Sequence, residues 1–299
     1  MRVLMTGSSG LIGTALRSCL GRGGHDVRRL LRTASASTDA TSWNPADGTF
    51  APGAFDGIEA VIHLAGESIA GGRWTAARKT RIRESRVTGT RQLCETLARL
   101  DTPPRTLVAA SAIGFYGDRG NEILDESASV GSGFLPEVCQ AWEDAVEPAR
   151  DRGLRVVHLR TGIVLSPHGG ALAQMLWPFK LGLGGVLGGG DQYMSWVAID
   201  DMLGIVEHAL TDESMTGPVN AVAPQAVSNR EFTKTLGAVL GRPTFLPAPA
   251  FALRVVLGEM ADALLLGSAR VDPAALLTTG FEWRYPNLDG ALRHVLRGV

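Results

Sequence analysis

The sequence predicts an α/β fold, a doubly wound parallel β-sheet with a smaller C-terminal α/β lobe. Two observations in the first half of the 299-residue chain support this: short apolar runs alternate with amphipathic helical stretches, and each apolar run ends in small residues. Small residues at strand ends are typical of an open parallel sheet, whose ligand crevice lies at the carboxyl ends of its strands. A third observation is that turn- and proline-rich sequence replaces the alternation from about Val222 onward.

The predicted elements begin near the N-terminus. Residues 2–7, RVLMTG, form the first strand, and residues 11–24 form a helix that ends at a pair of glycines. Residues 25–32 are the second strand. The run AVIHLAG at 60–66 closes on a glycine, as a strand covered on both faces does. The later predicted elements are a helix over 77–100, strands over 106–117 and 154–165, and a strand followed by a helix over 195–210.

A glycine-rich segment, TGSSGLIG at residues 6–13, follows the first strand and opens the first helix. In this strand–loop–helix setting, a GxxGxxG pattern predicts dinucleotide binding by a Rossmann-type fold. Gly7 allows the tight turn, Gly10 lets the backbone approach a pyrophosphate, and Gly13 lets the helix pack closely on the sheet. The phosphates would lie at the positive end of the helix dipole. The alternative is a glycine turn that binds no ligand.

The second predicted strand indicates which dinucleotide is bound. Sites for NAD end this strand with Asp or Glu, which bonds the ribose hydroxyls, whereas residues 27–36 contain no acid. Arg32 stands at that position, and a guanidinium suits the 2′-phosphate of NADP(H). We therefore predict NADP(H) as the cofactor. In the alternative interpretation, Arg28, Arg29 and Arg32 form one solvated basic edge.

The composition changes near residue 166, where SPHGG and then KLGLGGVLGGGD introduce many glycines. We interpret this stretch as a mobile loop or lid. The predicted NADP-binding Rossmann domain comprises residues 1–166 and 193–222. Residues 167–192 and 223–299 form the predicted substrate-binding C-terminal lobe.

The composition is that of an ordinary globular protein. A hydrophobic share of 45% and a net charge of −1 leave no basic excess for binding nucleic acid. Cys19, Cys94 and Cys139 form no CxxC and stand near no pair of histidines, which predicts neither disulfides nor a metal site and favours a reducing compartment. The N-terminal residues show no secretory leader pattern, so we expect a cytoplasmic protein.

The most hydrophobic late stretch lies at residues 251–267. It carries Arg254, Glu259 and Asp262, and it is too short and too charged to span a bilayer, so we expect no membrane association. We interpret the stretch as a buried or interface helix.

Several motifs together resemble those of the extended short-chain dehydrogenase/reductases, the nucleotide-sugar epimerase and dehydratase group. They are TGSSGLIG, HLAGE at 63–67, SRVTGT at 85–90 and ASAIGFYG at 110–117. Longer segments resemble an atypical "epimerase family protein" subgroup that has its own C-terminal domain: RWTAARKTRIRESRV, EVCQAWE, LRTGIVL, SWVAIDD, GPVNAVAP, LGEMADALLLG and GFEWRYPNLDGAL. The resemblance covers nearly the whole chain and implies the Rossmann-type fold.

The resemblance also shows where this chain departs from the larger family. That family uses a Tyr, a Lys four residues later and a Ser or Thr to shuttle a proton, but this chain contains no YxxxK. Counting back from Glu143, which resembles the glutamate after the family's Lys, places Leu135 and Cys139 at the Tyr and Lys positions. Ala112 stands where many epimerases have the Ser or Thr, and Arg86 stands where an Asn is usual.

Other groups must therefore serve if the protein transfers protons. We predict Ser111, Tyr116 and Lys79 as catalytic residues. Tyr116 is alternatively an aromatic that packs under the cofactor, and Lys79 and Arg86 are alternatively part of a solvated basic helix face. The residues predicted to bind the cofactor are Thr6, Gly7, Ser9, Gly10, Leu11, Ile12 and Gly13 of the glycine loop, Arg32, Leu64, Ala65, Gly66 and Glu67 at the end of the 60–66 strand, and Arg86.

Two functions from different classes fit the sequence. The first is an NADP(H)-binding oxidoreductase or epimerase-like enzyme that acts on a small polar carbonyl or hydroxyl compound. The second is a catalytically silent NADP(H)-binding regulator or scaffold that kept the glycine loop and lost the Tyr–Lys pair. Related folds pair as homodimers through the long helices after the 60–66 and 106–117 strands, and the apolar pattern of residues 87–100 permits the same here.

Overall fold

The computed structural model describes residues 1–33, 35 and 37–297. The strands are β1 (Arg2–Thr6), β2 (Asp26–Leu31), β3 (Ala40–Asn44), β4 (Thr49–Phe50), β5 (Ala60–His63), β6 (Thr106–Ala112), β7 (Ile123–Leu124), β8 (Arg155–Thr161), β9 (Ile163–Leu165), β10 (Tyr193–Met194), β11 (Trp196–Ala198), β12 (Gly217–Ala221), β13 (Val227–Ser228) and β14 (Arg270–Val271). The helices are α1 (Leu11–Arg22), α2 (Ala76–Arg99), α3 (Phe134–Asp144), α4 (Glu147–Asp151), α5 (Gly170–Lys180), α6 (Ile199–Thr211), α7 (Asn229–Leu240), α8 (Ala250–Leu257), α9 (Glu259–Ala261), α10 (Ala274–Thr278) and α11 (Leu288–Val295).

A sheet of eight strands in the order β12-β8-β6-β5-β1-β2-β3-β4 forms the centre of the molecule. All neighbours in it run parallel except β3 and β4, which are antiparallel. From β1 the chain passes through α1 to β2 on one side, and from β5 it passes through α2 to β6 on the other. The winding direction therefore reverses between β1 and β5, which confirms the doubly wound α/β fold and places the ligand crevice at their carboxyl ends.

Helices cover both faces of this sheet. On one face, Leu16 of α1 and Ile205 of α6 pack with Met5 of β1 in one core cluster. On the other face, Leu93 of α2 and Ala149 of α4 pack in a second cluster. Because the sheet is covered on both sides, its central strands β1, β5 and β6 are apolar along most of their length, as the sequence predicts.

Two predicted strands end earlier than expected. The 106–117 strand stops at Ala112, and a tight turn, Ile113–Phe115, follows it. The 154–165 strand divides at Gly162, where a side chain is excluded because a Cβ would lie 2.7 Å from the carbonyl oxygen of Ser195. The chain bends there, and β9 leaves the main sheet to pair with β11.

A separate core lies in the C-terminal part of the chain. It joins Leu172 of α5, Phe232 of α7 and Leu292 of α11 with Trp196 of β11. Most of these residues belong to the predicted substrate-binding lobe, whereas the strands of the eight-stranded sheet all fall within the predicted Rossmann domain. The exact division of the chain between the two parts remains a prediction.

The 251–267 stretch does not form the buried helix that its hydrophobicity predicts. Gly258 has φ +63°, a conformation that ends α8, and residues 259–266 continue as α9 and an irregular helical turn. None of the residues of α8 is buried. The prediction of a buried helix is therefore wrong for α8, whereas the alternative of an interface helix is still compatible with it.

The apolar pattern of residues 87–100 serves the chain's own core. Leu93, Cys94 and Leu97 are completely buried against the sheet in the cluster that includes Val61 and Leu107. These three side chains are therefore used inside the subunit, and the homodimer stays a prediction.

Among the residues that the structure describes, no helix combines the length and the apolar character needed to cross a membrane. Within the same residues, no three His, Cys, Asp or Glu side chains are grouped so that they could hold a metal ion.

Candidate functional site

The glycine loop is shaped by close backbone contacts at two of its glycines. Gly7 has φ +68°, and a Cβ there would lie 2.6 Å from the carbonyl carbon of Leu64, at the end of β5. A Cβ at Gly13 would lie 2.2 Å from the carbonyl oxygen of Gly7. Any side chain at either position would force the backbone apart. The tight turn predicted for Gly7 is therefore present, and the close contact at Gly13 is between α1 and the backbone of the loop at Gly7 and Ser8.

The other side of the loop faces outward. Ser9 and Gly10 are exposed, and Leu11 and Ile12 are half-buried. No side chain caps the N-terminus of α1, which begins at Leu11 after Gly10. The backbone N–H groups of the first helical turn are thus left for a ligand, and their partial positive charge favours a phosphate. A pyrophosphate fits this cradle, because the loop has no Cβ at Gly10 to hold it away.

Thr6 lies below the loop rather than in the cradle. Its side chain is completely buried, and its hydroxyl accepts hydrogen bonds from the backbone N–H groups of Leu64 (3.1 Å) and Ala65 (3.2 Å). The hydroxyl proton is then donated to Nδ1 of His63, 2.8 Å away. The prediction that Thr6 binds the cofactor is therefore wrong for its side chain, which instead ties the end of β1 to the end of β5.

His63 extends this hydrogen-bond network behind the crevice. Since His63 accepts at Nδ1, its proton is on Nε2, which donates to the hydroxyl of Thr90 (2.9 Å). Trp142 of α3 also donates to that hydroxyl, at 2.9 Å. Burial lowers the pKa of His63 to about 4, so the ring is neutral at physiological pH. This chain of polar groups fixes β1, β5, α2 and α3 relative to one another.

Two of the three arginines in and after β2, Arg28 and Arg29, are bonded within the chain, and Arg32 is not bonded to the described residues. Arg29 forms a bidentate ion pair with Asp39 (2.6 and 3.0 Å), which holds the pKa of that carboxyl at about 2. Arg28 donates to the carbonyl of Gly53 at 2.9 Å. Arg32 is exposed, and its side chain has no hydrogen bond or ion pair with the rest of the described chain. Of the three, Arg32 is the guanidinium that is open to a phosphate.

The end of β5 forms the next wall of the crevice. Leu64 and Ala65 are half-buried, and Gly66 is exposed. The backbone N–H of Glu67 donates to the hydroxyl of Ser85 at 3.1 Å, and the Glu67 carboxylate pairs with Arg81 at 3.3 Å. These four predicted cofactor residues therefore lie together beside the glycine loop. The Glu67 carboxylate pairs with α2.

The three positions at which the family resemblance places proton-shuttling residues also come together. Ala112 packs against the core cluster that contains Cys139, and a Cβ at Gly114, two residues later, would lie 3.4 Å from Cβ of Leu135 and 3.7 Å from Sγ of Cys139. Cys139 is 4% exposed, and burial raises the pKa of its thiol to about 12. None of the three residues carries a group that exchanges protons near neutral pH, so the place of the usual relay is apolar.

Ser111 belongs to a buried network behind this apolar patch. Its hydroxyl donates to Oε1 of Glu143 at 2.6 Å. Two nitrogens of Arg160, on β8, bind both oxygens of the same carboxylate at 2.8 and 2.9 Å. The side chains of Arg160 and Glu143 are only 5% and 12% exposed. The proton of Ser111 is thus committed to an internal carboxylate, and the structure gives the residue no free proton to donate to a substrate.

Tyr116 is also part of that network, which contradicts its prediction as a proton donor. The residue is completely buried. Its hydroxyl donates to Oδ1 of Asn220 at 2.7 Å and accepts from Arg160 at 3.0 Å. Burial raises the pKa of the phenol above its usual value. Tyr116 therefore acts as a structural residue that holds β8 and β12 together.

Lys79, the third predicted catalytic residue, lies at the edge of the crevice. Its ammonium group forms an ion pair with Glu259 of α9 and stands 5.0 Å from the centre of the Phe134 ring. The side chain is 30% exposed. Lys79 consequently bridges α2 and the C-terminal part of the chain, and it is the one catalytic candidate whose ionisable group reaches solvent.

Arg86 comes from the same helix and lies deeper in the crevice. Its guanidinium stacks on the indole of Trp142, 5.0 Å from the ring centre, and donates to the carbonyl of Ile82 at 3.1 Å. A Cβ at Gly66 would lie 3.4 Å from its central carbon. The alternative of a wholly solvated basic helix face therefore fails for Arg86.

Three residues of the buried networks are not predicted from the sequence as parts of the site. His63, Arg160 and Glu143 each interact with partners far away in the chain. One signal was present for two of them: His63 and Arg160 are polar residues inside otherwise apolar strands, and such residues need a buried partner. The identity of that partner follows only from the packed structure.

Comparisons with known proteins agree with this architecture. The NAD dependent epimerase/dehydratase family matches residues 3–221, and a domain of unknown function (DUF1731) matches residues 248–295. The chain is similar to the epimerase family protein Mb2239 of Mycobacterium bovis, with 43% identity over 97% of this chain and 96% of that protein. It is also similar to the human epimerase family protein SDR39U1, with 34% identity over 99% of this chain and all of the relative.

A crystal structure of human SDR39U1 with NADPH gives the structural comparison. It has a TM-score of 0.92 and 33% identity, and the match covers 100% of both chains. The family match spans most of this chain, and the relatives are similar over their whole length. The chain therefore belongs to the NAD-dependent epimerase/dehydratase family.

Proposed function

We propose that this protein is an NADP(H)-dependent oxidoreductase or epimerase-like enzyme that acts on a small polar carbonyl or hydroxyl compound. The observation that carries the cofactor assignment is the state of the basic edge after β2. Arg28 and Arg29 are bonded within the chain, whereas Arg32 is exposed and has no partner among the described residues. An exposed arginine at this position suits the 2′-phosphate that distinguishes NADP(H) from NAD(H).

The residues of the crevice fit such a cofactor from end to end. The uncapped start of α1 would bind the pyrophosphate, and the backbone from Leu64 to Gly66 would line the cofactor beyond it. The human relative with 33% identity was solved with NADPH. This supports the proposal that the same class of cofactor occupies the cradle here.

When bound, the nicotinamide would supply or accept a hydride, which is the difficult part of the reaction. The chain itself orients the substrate and handles the proton. With Tyr116 and Ser111 committed to the buried network, Lys79 is the candidate that can bring a proton to the crevice from solvent. The substrate would enter between α2 and the C-terminal lobe, where Lys79 meets Glu259.

The cofactor assignment is tested by measuring the affinities for NADPH and NADH in the wild type and in Arg32→Ala. We expect the variant to lose about tenfold or more in affinity for NADPH and little for NADH, since one charge-assisted phosphate contact is removed. Arg28→Ala is the matched control, because Arg28 is bonded to Gly53. An unchanged ratio of the two affinities in Arg32→Ala contradicts the assignment.

The proposed turnover is tested separately, by following NADPH absorbance in the presence of a panel of quinones, aldehydes and keto sugars. We expect oxidation with a member of the panel and a lower kcat in Lys79→Met. Tyr116→Phe should retain turnover in proportion to the folded fraction, because its hydroxyl does not reach the crevice.

A second function, a silent NADP(H)-binding regulator or scaffold, is favoured by one specific observation. The relay positions Ala112, Leu135 and Cys139 are together and apolar, so the usual proton pathway is absent from the described site. Tight NADPH binding with no oxidation across the panel, and no effect of Lys79→Met, would support this second function over the first.

A further inference from the structure

Large apolar side chains are exposed at the end of α5, away from the residues assigned to the cofactor crevice. Trp177 is 71% exposed, and Leu181 and Leu183 are each 56% exposed. The backbone N–H of Leu181 donates to the carbonyl of Trp177, and that of Leu183 donates to the carbonyl of Pro178. The three side chains therefore belong to one compact turn at the end of the helix.

Residues 243–249 lie directly beside the chain that follows α5. The backbone N–H of Ala248 donates to the carbonyl of Val186 at 2.9 Å. A Cβ at Gly185 would run into the carbonyl oxygen of Leu246, so no side chain separates the two segments. Helix α8 begins immediately after the second segment, so it adjoins the same surface.

The second segment and α8 expose five more large apolar side chains. Phe245 is 76% exposed, and Leu246 beside it is about half exposed. In α8, Phe251 is 71% exposed, and Val255 and Val256 about one turn later are exposed to a similar extent. A helix that packs only on its own chain buries its apolar stripe, but no residue of α8 is buried. These five side chains and the three at the end of α5 are called the α5–α8 face below.

The α5–α8 face is larger than the apolar patch that a monomer usually exposes. With these exposures, its eight residues present about 900 Å² of mostly apolar surface. The largest such patch on a monomeric protein is typically about 300–600 Å². An interface of standard size covers about 800 Å² on each partner. The face therefore has the area that one side of a stable dimer needs.

The charges around the face also suit a second copy of the chain. Residues 176–190 and 243–257 contain only two charged residues, Lys180 and Arg254, and Arg254 pairs with Asp262 at 2.9 Å. Few charges among aromatic side chains are typical of the core of a protein–protein interface. A lipid surface is instead held by a cluster of basic residues, which these two stretches do not contain. With a net charge of −1, two copies repel each other little.

We propose that the α5–α8 face binds the same face of a second copy, so that the protein forms a two-fold symmetric dimer. Each copy then contributes the same surface, which must be self-complementary in shape. The face meets this requirement because its exposed aromatic rings stand beside half-buried glycines, Gly182 and Gly185, which carry no side chain. Helix α8 is then an interface helix. The contact differs from pairing through α2, which the family resemblance implies.

Sedimentation of the full chain over about 0.1–50 μM measures the mass of the particle across the range expected for an interface of this size. We expect a monomer–dimer equilibrium with a Kd of about 1 μM or tighter. Phe251→Asp places a charge in each half of the interface and should raise that Kd by about 30-fold or more. Leu277→Asp is the matched control, because Leu277 of α10 is 54% exposed and lies outside the face. It should change the Kd by less than about twofold.

The same measurement distinguishes the other possible contacts. Arg91→Glu reverses an exposed charge on α2 and should leave the dimer intact. A dimer that persists in Phe251→Asp overturns the proposal, and its loss in Arg91→Glu would then assign the contact to α2. A wild type that stays monomeric, or whose mass grows continuously with concentration, also overturns it. So does a monomer that floats with vesicles of phosphatidylcholine and phosphatidylglycerol, because the face would then bind lipid.

Val255→Lys, one helical turn from Phe251, provides a second variant of the same face. We expect it to weaken the dimer by about tenfold or more and, like Phe251→Asp, to leave the monomer folded in urea denaturation, since both side chains are exposed. Loss of the dimer that occurs only together with loss of folding in both variants would overturn the proposal. NADPH affinity should stay within about twofold, because no residue of the face belongs to the crevice. The dimer is therefore tested independently of the proposed enzymatic function.

Discussion

The two ends of the crevice differ in what their residues must provide. At the glycine loop, Gly7 and Gly13 are required by the backbone, which leaves no room for a Cβ. At the other end, Ala112, Leu135 and Cys139 occupy the relay positions and provide no ionisable group. The glycines of the dinucleotide-binding loop can therefore be kept in this fold while the relay positions lose their ionisable groups.

The support behind each end differs as well. The cradle rests on hydrogen bonds that the backbone N–H groups of Leu64 and Ala65 donate to the Thr6 hydroxyl, and on His63 behind it. The relay end rests on a buried ion pair, Glu143 with Arg160, to which Ser111 and Tyr116 are attached. The polar groups at the relay end therefore stabilise the fold, whereas at the cradle the backbone N–H groups at the start of α1 remain open to a ligand.

The largest expected effect is at the cradle. Gly13→Ala would place a Cβ 2.2 Å from the carbonyl oxygen of Gly7, which no side-chain rotation relieves. We expect it to abolish NADPH binding and to lower the free energy of unfolding by about 4 kcal/mol or more. Fluorescence titration with NADPH and urea denaturation measure the two effects.

Gly21→Ala is the matched control for that substitution. Gly21 lies in the same helix, and a Cβ there would meet no atom of the described residues within 4 Å. Alanine is the better helix former, so the variant should gain about 0.5–1 kcal/mol and bind NADPH normally. Equal losses in the two variants would show that the helix, and not the contact of Gly13, is the sensitive feature.

The next effect is at the relay end. Glu143→Gln leaves the buried charge of Arg160 without its counterion, and we expect it to lower the free energy of unfolding by about 3 kcal/mol. Glu147→Gln breaks a half-exposed pair with Arg150 and should cost no more than about 0.5 kcal/mol. NADPH affinity should stay within about twofold in Glu143→Gln, measured where the protein is fully folded. A small loss of stability would mean that the ion pair is not the support described here.

Tyr116→Phe separates a structural tyrosine from a catalytic one. The variant removes the hydrogen bond to Asn220 and one from Arg160, and it should lower the free energy of unfolding by about 2 kcal/mol. Urea denaturation measures the free energy of unfolding, and a parallel assay measures turnover. If stability is unchanged and turnover is lost, the hydroxyl acts in the reaction after all.

Stability should also fall on mild acidification, with one histidine contributing behind each end of the crevice. Burial lowers the pKa of His63 and of His158 to about 4, from 6.5. Between these values the unfolded chain binds the proton and the folded chain does not. The free energy of unfolding should therefore fall, as pH falls from 6.5 toward 4, by about 1.4 kcal/mol per pH unit for each histidine.

Removing one histidine tests that slope. In His158→Gln, the free energy of unfolding should change with pH about half as steeply as in the wild type, because only His63 remains. Urea denaturation at several pH values between 6.5 and 4 gives the comparison. A slope that His158→Gln leaves unchanged would contradict the neutral, buried state of His158.

The sequence predicts the sheet and the glycine loop because each depends on local patterns, whereas the relay positions Ala112, Leu135 and Cys139 follow from the family resemblance. The strand at 106–117 ended early at Ala112, and the 251–267 stretch broke at Gly258, since single turns decide such boundaries. Tyr116 was assigned to catalysis because it follows a strand that reaches the crevice. Its burial depends on Asn220 and Arg160, which come from other strands and whose contacts no local pattern specifies.

The most direct test of the contrast between the two ends is a crystal structure of this protein with NADPH. We expect the pyrophosphate at the start of α1 and the 2′-phosphate within hydrogen-bond distance of Arg32. We also expect the nicotinamide to face Ala112, Leu135 and Cys139, with Tyr116 still bonded to Asn220. A cofactor bound away from the glycine loop, or a Tyr116 hydroxyl turned toward the nicotinamide, would contradict this contrast between the two ends.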